Sequence, residues 1–373
     1  MPERKSAMPF DKHPRQLVRE EHWFNSGPPA DLLRCHPVTP TELFFTRNHG
    51  TVPEVDAGSY RLAVTGGVAH PLHLSLDQLQ RDYPAASVVA TISCAGLRRD
   101  ELIAVRPLPG EVPWGTEPIS TGVWTGARLA DVLAKAKPLR GATYAAFLGL
   151  DEVQRHGERF GFGGSIALAK ALAEETLLAY QLNGAPLPPV HGFPLRALVP
   201  GYVGARSVKW LSRITLQAEP SDNYFQAKAY RVFAPTIDAD NVVWEQGIPL
   251  ADTPLNSVIW SPEPEALLTP GPLQVSGWAC ASGGSTIERV EVSWDGGVSW
   301  RRTELQAQRS PWAWCLWNVE LELSLGYHTL MVRAWDSAGH TQPEHPAELW
   351  NFKGYANNAW HRVPVRVASG THP

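Results

Sequence analysis

At 373 residues the chain predicts two or three domains of about 150 residues each, enough for separate hydrophobic cores. Hydrophobic residues make up 43% and charged residues 19%, the composition of a folded globular protein, and no apolar run approaches the roughly 18 residues of a membrane span. Lys and Arg number 33 against 37 Asp and Glu, a net charge of −4 that argues against nucleic acid as a partner while leaving room for a local basic pocket.

From the N-terminus, Met1-Pro-Glu-Arg-Lys leads into no apolar stretch. No secretory signal is expected, so the location expected is cytoplasmic, with the periplasm not excluded. Tyr60 to Gly66 alternates and ends at Gly66-Gly67, a strand and a turn. Ser75-Leu-Asp-Gln78 has the form of a capping box and opens a short helix. Ser87 to Ile92 is apolar and β-branched, like a strand covered on both faces. Between Ala127 and Ala136, Leu129, Val132, Leu133 and Ala136 share one helical face. Strands follow over 145–150, 177–182, 195–199 and 208–216, with a helix expected over 166–173. Up to about residue 217 the reading is therefore mixed α and β.

Beyond residue 250 the texture changes. Pro249, Pro254, Pro262, Pro264, Pro270 and Pro272 crowd one stretch, and helical periodicity then disappears. Ile287 to Trp294 alternates, turns at Asp295-Gly-Gly297 and returns through Val298 to Trp300 as a hairpin. Leu330 to Trp335 is a further strand, turning at Asp336 to Gly339. Strands at this spacing fit an immunoglobulin-like β-sandwich of about 110 residues. Eleven of the 15 Trp lie beyond residue 240, as core or as interface.

Only four cysteines occur, at 35, 94, 280 and 315, and none forms a Cys-x-x-Cys pair. A zinc ribbon, a dithiol redox motif and a disulfide framework are all disfavoured, and the default for each cysteine is a small buried residue. Cys94 stands apart. It ends an apolar strand and is followed by Ala95-Gly-Leu-Arg-Arg99, and neighbouring cations favour the thiolate, the form that attacks electrophiles and binds soft metals. Arg47, Asn48 and His49 cluster in one loop, while His191, Arg196, Arg206 and Lys209 sit in Gly-containing segments. Such loops suit a phosphate, because backbone N–H groups approach closely and cations pair with its oxygens. The residues by themselves reach an anion-binding mixed α/β enzyme with a possible thiolate ligand.

Six blocks in order carry a resemblance that spans most of the chain. They are Phe-Phe-Thr-Arg-Asn-His at 44–49, Cys-Ala-Gly-Leu-Arg-Arg at 94–99, Trp-x-Gly-Ala-Arg-Leu-x-Asp-Val-Leu at 124–133 and His-Gly-Phe-Pro-Leu-Arg at 191–196, followed by Gly-Ala-Arg-Ser-Val-Lys-Trp-Leu at 204–211 and Asn-x-Ala-Trp-His-Arg-Val at 357–363. The sequence resembles the sulfite oxidase family of molybdopterin enzymes. The resemblance implies an α+β chain: a mixed α/β molybdopterin domain over 1–250, with 1–30 as an N-terminal extension, then an immunoglobulin-like dimerisation domain over 251–373. It implies molybdenum and molybdopterin as cofactors, Cys94 as the metal-ligating thiolate, and sulfite as the substrate. Arg47, Tyr230, Arg99 and Trp114 match residues at or beside the family's substrate pocket. Phe45, Thr46, Asn48, His49, Asp151, His191, Arg196, Ser207, Val208 and Lys209 match those around the pterin and its phosphate. A homodimer is implied, with oxygen or a cytochrome c-like carrier as electron acceptor. The heme domain that precedes the molybdenum domain in animal members is not seen in this chain.

Two positions depart from the family pattern. Leu97 stands where the family has Asn, removing a polar group close to the ligand cysteine. Lys353, in Trp350-Asn-Phe-Lys-Gly354, stands where the family has an Arg that contacts substrate oxygens. Charge is kept but the planar bidentate fork is lost, so Lys353→Arg is expected to lower the KM for sulfite. Assimilatory nitrate reductase shares the domain pair and most of the motifs and is the alternative reading. A non-catalytic scaffold with a Trp-rich sandwich is a third, separable by metal analysis.

Overall fold

A computed structural model describes residues 8–369 apart from residue 282, so the opening Met1-Pro-Glu-Arg-Lys lies outside the described residues. Two sheets build the first part. One has five strands in the order 163–167, 144–149, 211–217, 62–66 and 72–74. All its pairings are antiparallel except that of Leu211–Gln217 with Leu62–Gly66. The other runs in the order 185–186, 177–182, 119–128 and 85–93, with 196–198 also pairing to 177–182. Helices are short. Leu76–Asp82 begins with the expected capping box: Ser75 Oγ accepts from Gln78 N at 3.1 Å and Gln78 Oε1 from Ser75 N at 2.9 Å. Leu79 from this helix and Leu129, Val132 and Leu133 from Leu129–Ala136 are wholly buried in one core with the first sheet.

Four details differ from the sequence reading. Residues 163–167 form a strand against Tyr144–Leu148, confining the expected 166–173 helix to Leu168–Ala171. Pairing of Ile166 and Ala167 with Ala145 and Tyr144 overrides the local helix propensity of this Ala- and Leu-rich stretch. The strand expected from Val208 begins only at Leu211, because Val208 to Trp210 are occupied in the loop that lines the site. Ala85–Ser93 is buried continuously only from Ala90 onward, since its first half alternates toward solvent. Cys35 is exposed in the turn after Ala30–Leu33, whereas Cys94, Cys280 and Cys315 are buried.

From Asn256 onward the chain is a β-sandwich. Strands 256–261, 271–280, 315–323 and 304–305 make one sheet; strands 266–268, 361–367, 326–336, 287–293 and 301–302 make the other. The hairpin after Asp295 returns at Arg301–Arg302, a few residues later than its sequence pattern suggests, because the Asp295 carboxylate accepts from Ser299 N and holds the intervening loop. Val275, Val290, Val292, Leu330, Val332 and Val363 fill the space between the sheets. The tryptophans divide. Trp317 packs in the sandwich core, Trp260, Trp278 and Trp314 join Leu33, Leu97 and Ile119 in a cluster linking the two parts, and Arg333 lies 3.7 Å from the half-buried Trp300 ring.

This linkage positions the strand that carries Cys94. Ala85–Ser93 is an edge strand, and the 310–314 loop of the sandwich covers it: Thr91 N donates to Trp312 O at 2.9 Å and Trp314 N to Thr91 Oγ1 at 2.8 Å. An edge left bare would present unpaired backbone groups to other chains.

Candidate active site

Cys94 follows directly on Ala85–Ser93. Its N–H donates to Pro118 O at 2.9 Å, its carbonyl accepts from Leu97 N at 3.0 Å, and Gly96 N donates to its Sγ at 3.4 Å. The tight turn places Cys94 in the wall of a partly open cavity. Five separate segments supply that cavity's polar wall: Phe44 to His49, Asp151, His191 with Arg196, Ser207 to Lys209, and Tyr230. The fold thus gathers Phe45, Thr46, Arg47, Asn48, His49, Cys94, Asp151, His191, Arg196, Ser207, Val208, Lys209 and Tyr230 around one space.

Local bonds fix these side chains. Asn48 donates to Trp23 O at 2.8 Å, and its Oδ1 accepts from Lys209, which also donates to Val190 O at 2.9 Å. Arg196 donates to His191 O at 3.1 Å and Ser207 O at 2.9 Å, while Ser207 Oγ accepts from Val199 N at 3.0 Å. A single π-helical turn, Phe225–Ala229, delivers Tyr230, whose hydroxyl lies 2.9 Å from His49 Nε2. Such turns recur at functional sites.

Electrostatics define what the cavity lacks. Among its lining residues Arg47, Arg196 and Lys209 face one carboxylate, Asp151. Burial pulls the Arg196 guanidinium down to about 9. Burial, followed by neighbouring cations, pushes Lys209, His191 and His49 well below their ordinary values. Asp151 is raised to about 6 by burial, against the attraction of Lys209. Glu20 lies 3.8 Å from Arg47, whereas Arg196 and Lys209, buried with so little counter-charge, are costly unless an anion joins them.

Three predicted residues stand outside the cavity wall. Trp114 is fully buried, packed with Phe44, Phe45 and Cys94, and backs the site. Arg99 lies against Gly96 so closely that a Cβ there would meet its Nη2 at 2.5 Å. It donates to Gly354 O at 3.0 Å and Val112 O at 2.9 Å, and sits 5.1 Å from the Tyr355 ring, which stacks on Tyr230 at 5.3 Å. Its ionic partner is Glu111 at 3.5 Å, while the nearby Glu101 pairs with Arg98. Lys353 donates to the same Glu111. Leu97 turns toward Trp260, Trp278 and Trp314, so apolar packing between the two parts accounts for a non-polar residue there.

Sequence reasoning missed Lys12 and Glu111. Lys12 comes from the N-terminal segment and is buried; it donates to Phe44 O at 2.7 Å and Thr41 O at 2.8 Å, and its Nζ lies 2.6 Å from His191 Nε2. An isolated Lys in a polar stretch gives no pattern that could flag it. Glu111 lies in a loop whose only signal is Pro and Gly.

A dithiolene-pterin cofactor with a phosphate asks for a soft protein donor beside a cation-lined cavity, and Cys94 with the underneutralised Arg196, Lys209 and His191 meets that demand. Residues 49–225 match the oxidoreductase molybdopterin binding domain, and residues 248–368 the Mo-co oxidoreductase dimerisation domain. The chain is 41% identical over 361 residues to sulfite oxidase of Gallus gallus, covering 94% of this chain and 78% of that protein. Against sulfite oxidase of Arabidopsis thaliana it is 38% identical, covering 95% of each. It spans 66% of the mouse mitochondrial sulfite oxidase and 42% of a barley nitrate reductase, at 39% and 37% identity. The solved sulfane dehydrogenase SoxCD of Paracoccus pantotrophus superposes with a TM-score of 0.79 at 25% identity, covering 94% of this chain and 88% of that one. With a sulfur-lined cationic cavity, both domain models and full-length relatives in agreement, the chain belongs to the sulfite oxidase family of molybdopterin oxidoreductases.

Proposed function

We propose that the chain oxidises sulfite to sulfate, using water as the oxygen source and releasing two electrons and two protons. The observation that carries this reading is the convergence of Cys94 with a buried cationic wall around one cavity. Cys94 would ligate molybdenum, while Asn48, His191, Arg196 and Lys209, with the backbone from Phe45 to His49 and from Ser207 to Lys209, would hold the pterin and its phosphate. When bound, that group supplies oxygen-atom transfer and takes up the two electrons.

The chain's own residues then have separable tasks. Arg47, Arg99 and Lys353 attract a small oxyanion. Each unlike pair at about 4 Å is worth about 4 kcal/mol at an effective dielectric near 20, before desolvation is subtracted. Tyr230 keeps its proton, because burial raises its phenol, and can donate it in a hydrogen bond to a substrate oxygen. His49, held neutral by burial and nearby cations, stands beside that hydroxyl as the group through which a proton can pass. Trp114 and Phe45 keep water from behind the sulfur.

The boundary is read at residue 250, supported by a dimerisation-domain match that begins at residue 248, and the second domain pairs two chains into a homodimer, so sedimentation should give twice 41.0 kDa. Electrons leave to a carrier such as oxygen or a c-type cytochrome. Cys94→Ser exchanges a soft donor for a hard one, so the variant should fold with unchanged circular dichroism yet lose sulfite-dependent reduction of an artificial acceptor. Substantial residual turnover would refute the ligand assignment. The same assay run backwards with nitrate separates the barley-like alternative; nitrate turnover exceeding sulfite turnover overturns the proposal.

A further inference from the structure

Two carboxylates approach the residues that would receive the oxyanion: Glu20 lies 3.8 Å from Arg47, and Glu111 joins Arg99 to Lys353. Glu111 Oε1 accepts from Lys353, and its Oε2 lies 3.5 Å from Arg99 Nη1. The Glu111, Lys353 and Arg99 side chains are 18%, 20% and 3% exposed respectively, so solvent reaches the Glu111–Lys353 pair while Arg99 is buried behind it. Arg99 meets Tyr355, Tyr355 stacks on Tyr230, and Tyr230 lines the cavity beside Arg47. Arg99 is held by Gly354 O and Val112 O independently of Glu111, so the carboxylate is not what fixes that guanidinium.

We propose that Glu111 is an internal competitor for the oxyanion site: its carboxylate occupies Arg99 and Lys353 until an incoming anion displaces it, weakening binding of substrate sulfite and hastening release of product sulfate. This rests on the sulfite reading above for its biological meaning, but the electrostatic claim concerns anion binding alone. A carboxylate and an oxyanion offer the same acceptors to the same two cations, and both cannot be fully satisfied at once. Coulomb energy scales with the ligand's charge, so removing one negative charge from the rim strengthens a dianion about twice as much in free energy as a monoanion. A sulfate gain is then near the square of the nitrate gain.

Glu111→Gln keeps the side chain's size and an oxygen that can still accept from Lys353. Sulfate and nitrate binding to the full-length holoenzyme, followed by calorimetry at constant ionic strength, is the primary measurement. We expect sulfate to bind ~10-fold tighter in the variant and nitrate ~3-fold tighter, about 1.4 kcal/mol for the former, with the KM for sulfite falling alongside. Glu111→Asp should return both toward wild type. If Glu111→Gln fails to fold, Glu111→Ala is put through the same comparison. Unchanged or weaker sulfate binding in the folded variant overturns the proposal, as does an equal gain for both anions. A mere strut would show lowered thermal stability with no charge-dependent gain. Wild-type protein that binds sulfate but does not oxidise sulfite sinks the functional reading, while the calorimetry still decides the role of Glu111.

Discussion

Lys12 shows how much a single side chain can add to a site that its sequence neighbourhood does not announce. Burial lowers its ammonium to about 7, opposed only by Glu42, and its bonds to two carbonyls and to His191 Nε2 tie the N-terminal segment to the cavity wall. With a folded value of about 7 and an ordinary value of 10.5, the unfolded chain binds the extra proton between those limits. Stability therefore rises with pH across that window through this group, and the penalty is complete below it. In cofactor-free protein, Lys12→Met should remove this slope, about 1.4 kcal/mol per pH unit where the states differ by one proton. Urea unfolding of both proteins from pH 7 to 10 reads the difference directly; parallel curves would show that Lys12 does not carry it.

At the scale of elements, the turn after Ala85–Ser93 does the positioning. Gly96 is required there by proximity, since a Cβ would meet Arg99 Nη2, Cζ and Nη1 at 2.5, 2.6 and 2.9 Å. Arg99 has little freedom to yield, being buried and bound to two carbonyls. Gly96→Ala should displace the guanidinium and raise the KM for sulfite about tenfold, the equivalent of about 1.4 kcal/mol, with steady-state kinetics as the check. Neither Ser75 nor Gln78 of the capping box lines the cavity. Ser75→Ala should cost about 1 kcal/mol of stability and leave KM unchanged, which denaturant unfolding and the same kinetics can separate.

Over the whole molecule, the two parts are joined through Arg98, beside the cysteine turn. It is fully buried with φ +60°, and it pairs with Glu101 at 2.7 Å while donating to Asn256 Oδ1 at 2.8 Å and Ala359 O at 2.7 Å in the sandwich. Asn357 Nδ2 returns a bond to Arg98 O at 2.8 Å. Removing the guanidinium strands buried acceptors on both sides, so Arg98→Met should lower unfolding free energy by about 3 kcal/mol and loosen the cofactor site with it. Thermal unfolding and molybdenum content measured on one preparation test both effects. Full metal retention in a strongly destabilised variant would separate the interface from the site.

Much of this was legible from the chain alone, because periodicity and capping are local properties. The Ser75 box, the Leu129 to Ala136 face and the alternating strands of the sandwich need only a neighbourhood of a few residues to declare themselves. So did the cationic, glycine-containing loops and the motifs that resemble sulfite oxidases. Contacts between segments distant in sequence were not legible. Pairing with Tyr144–Leu148 turned part of an expected helix into strand, the Trp cluster gave Leu97 an apolar partner surface, and Glu111 met Lys353 across 242 positions. The sequence by itself determined which chemistry is available, since donor type and charge belong to the residues. Only the tertiary structure decided which charges face one another and which are left without a counter-ion, because burial and distance set the strength of every electrostatic contact.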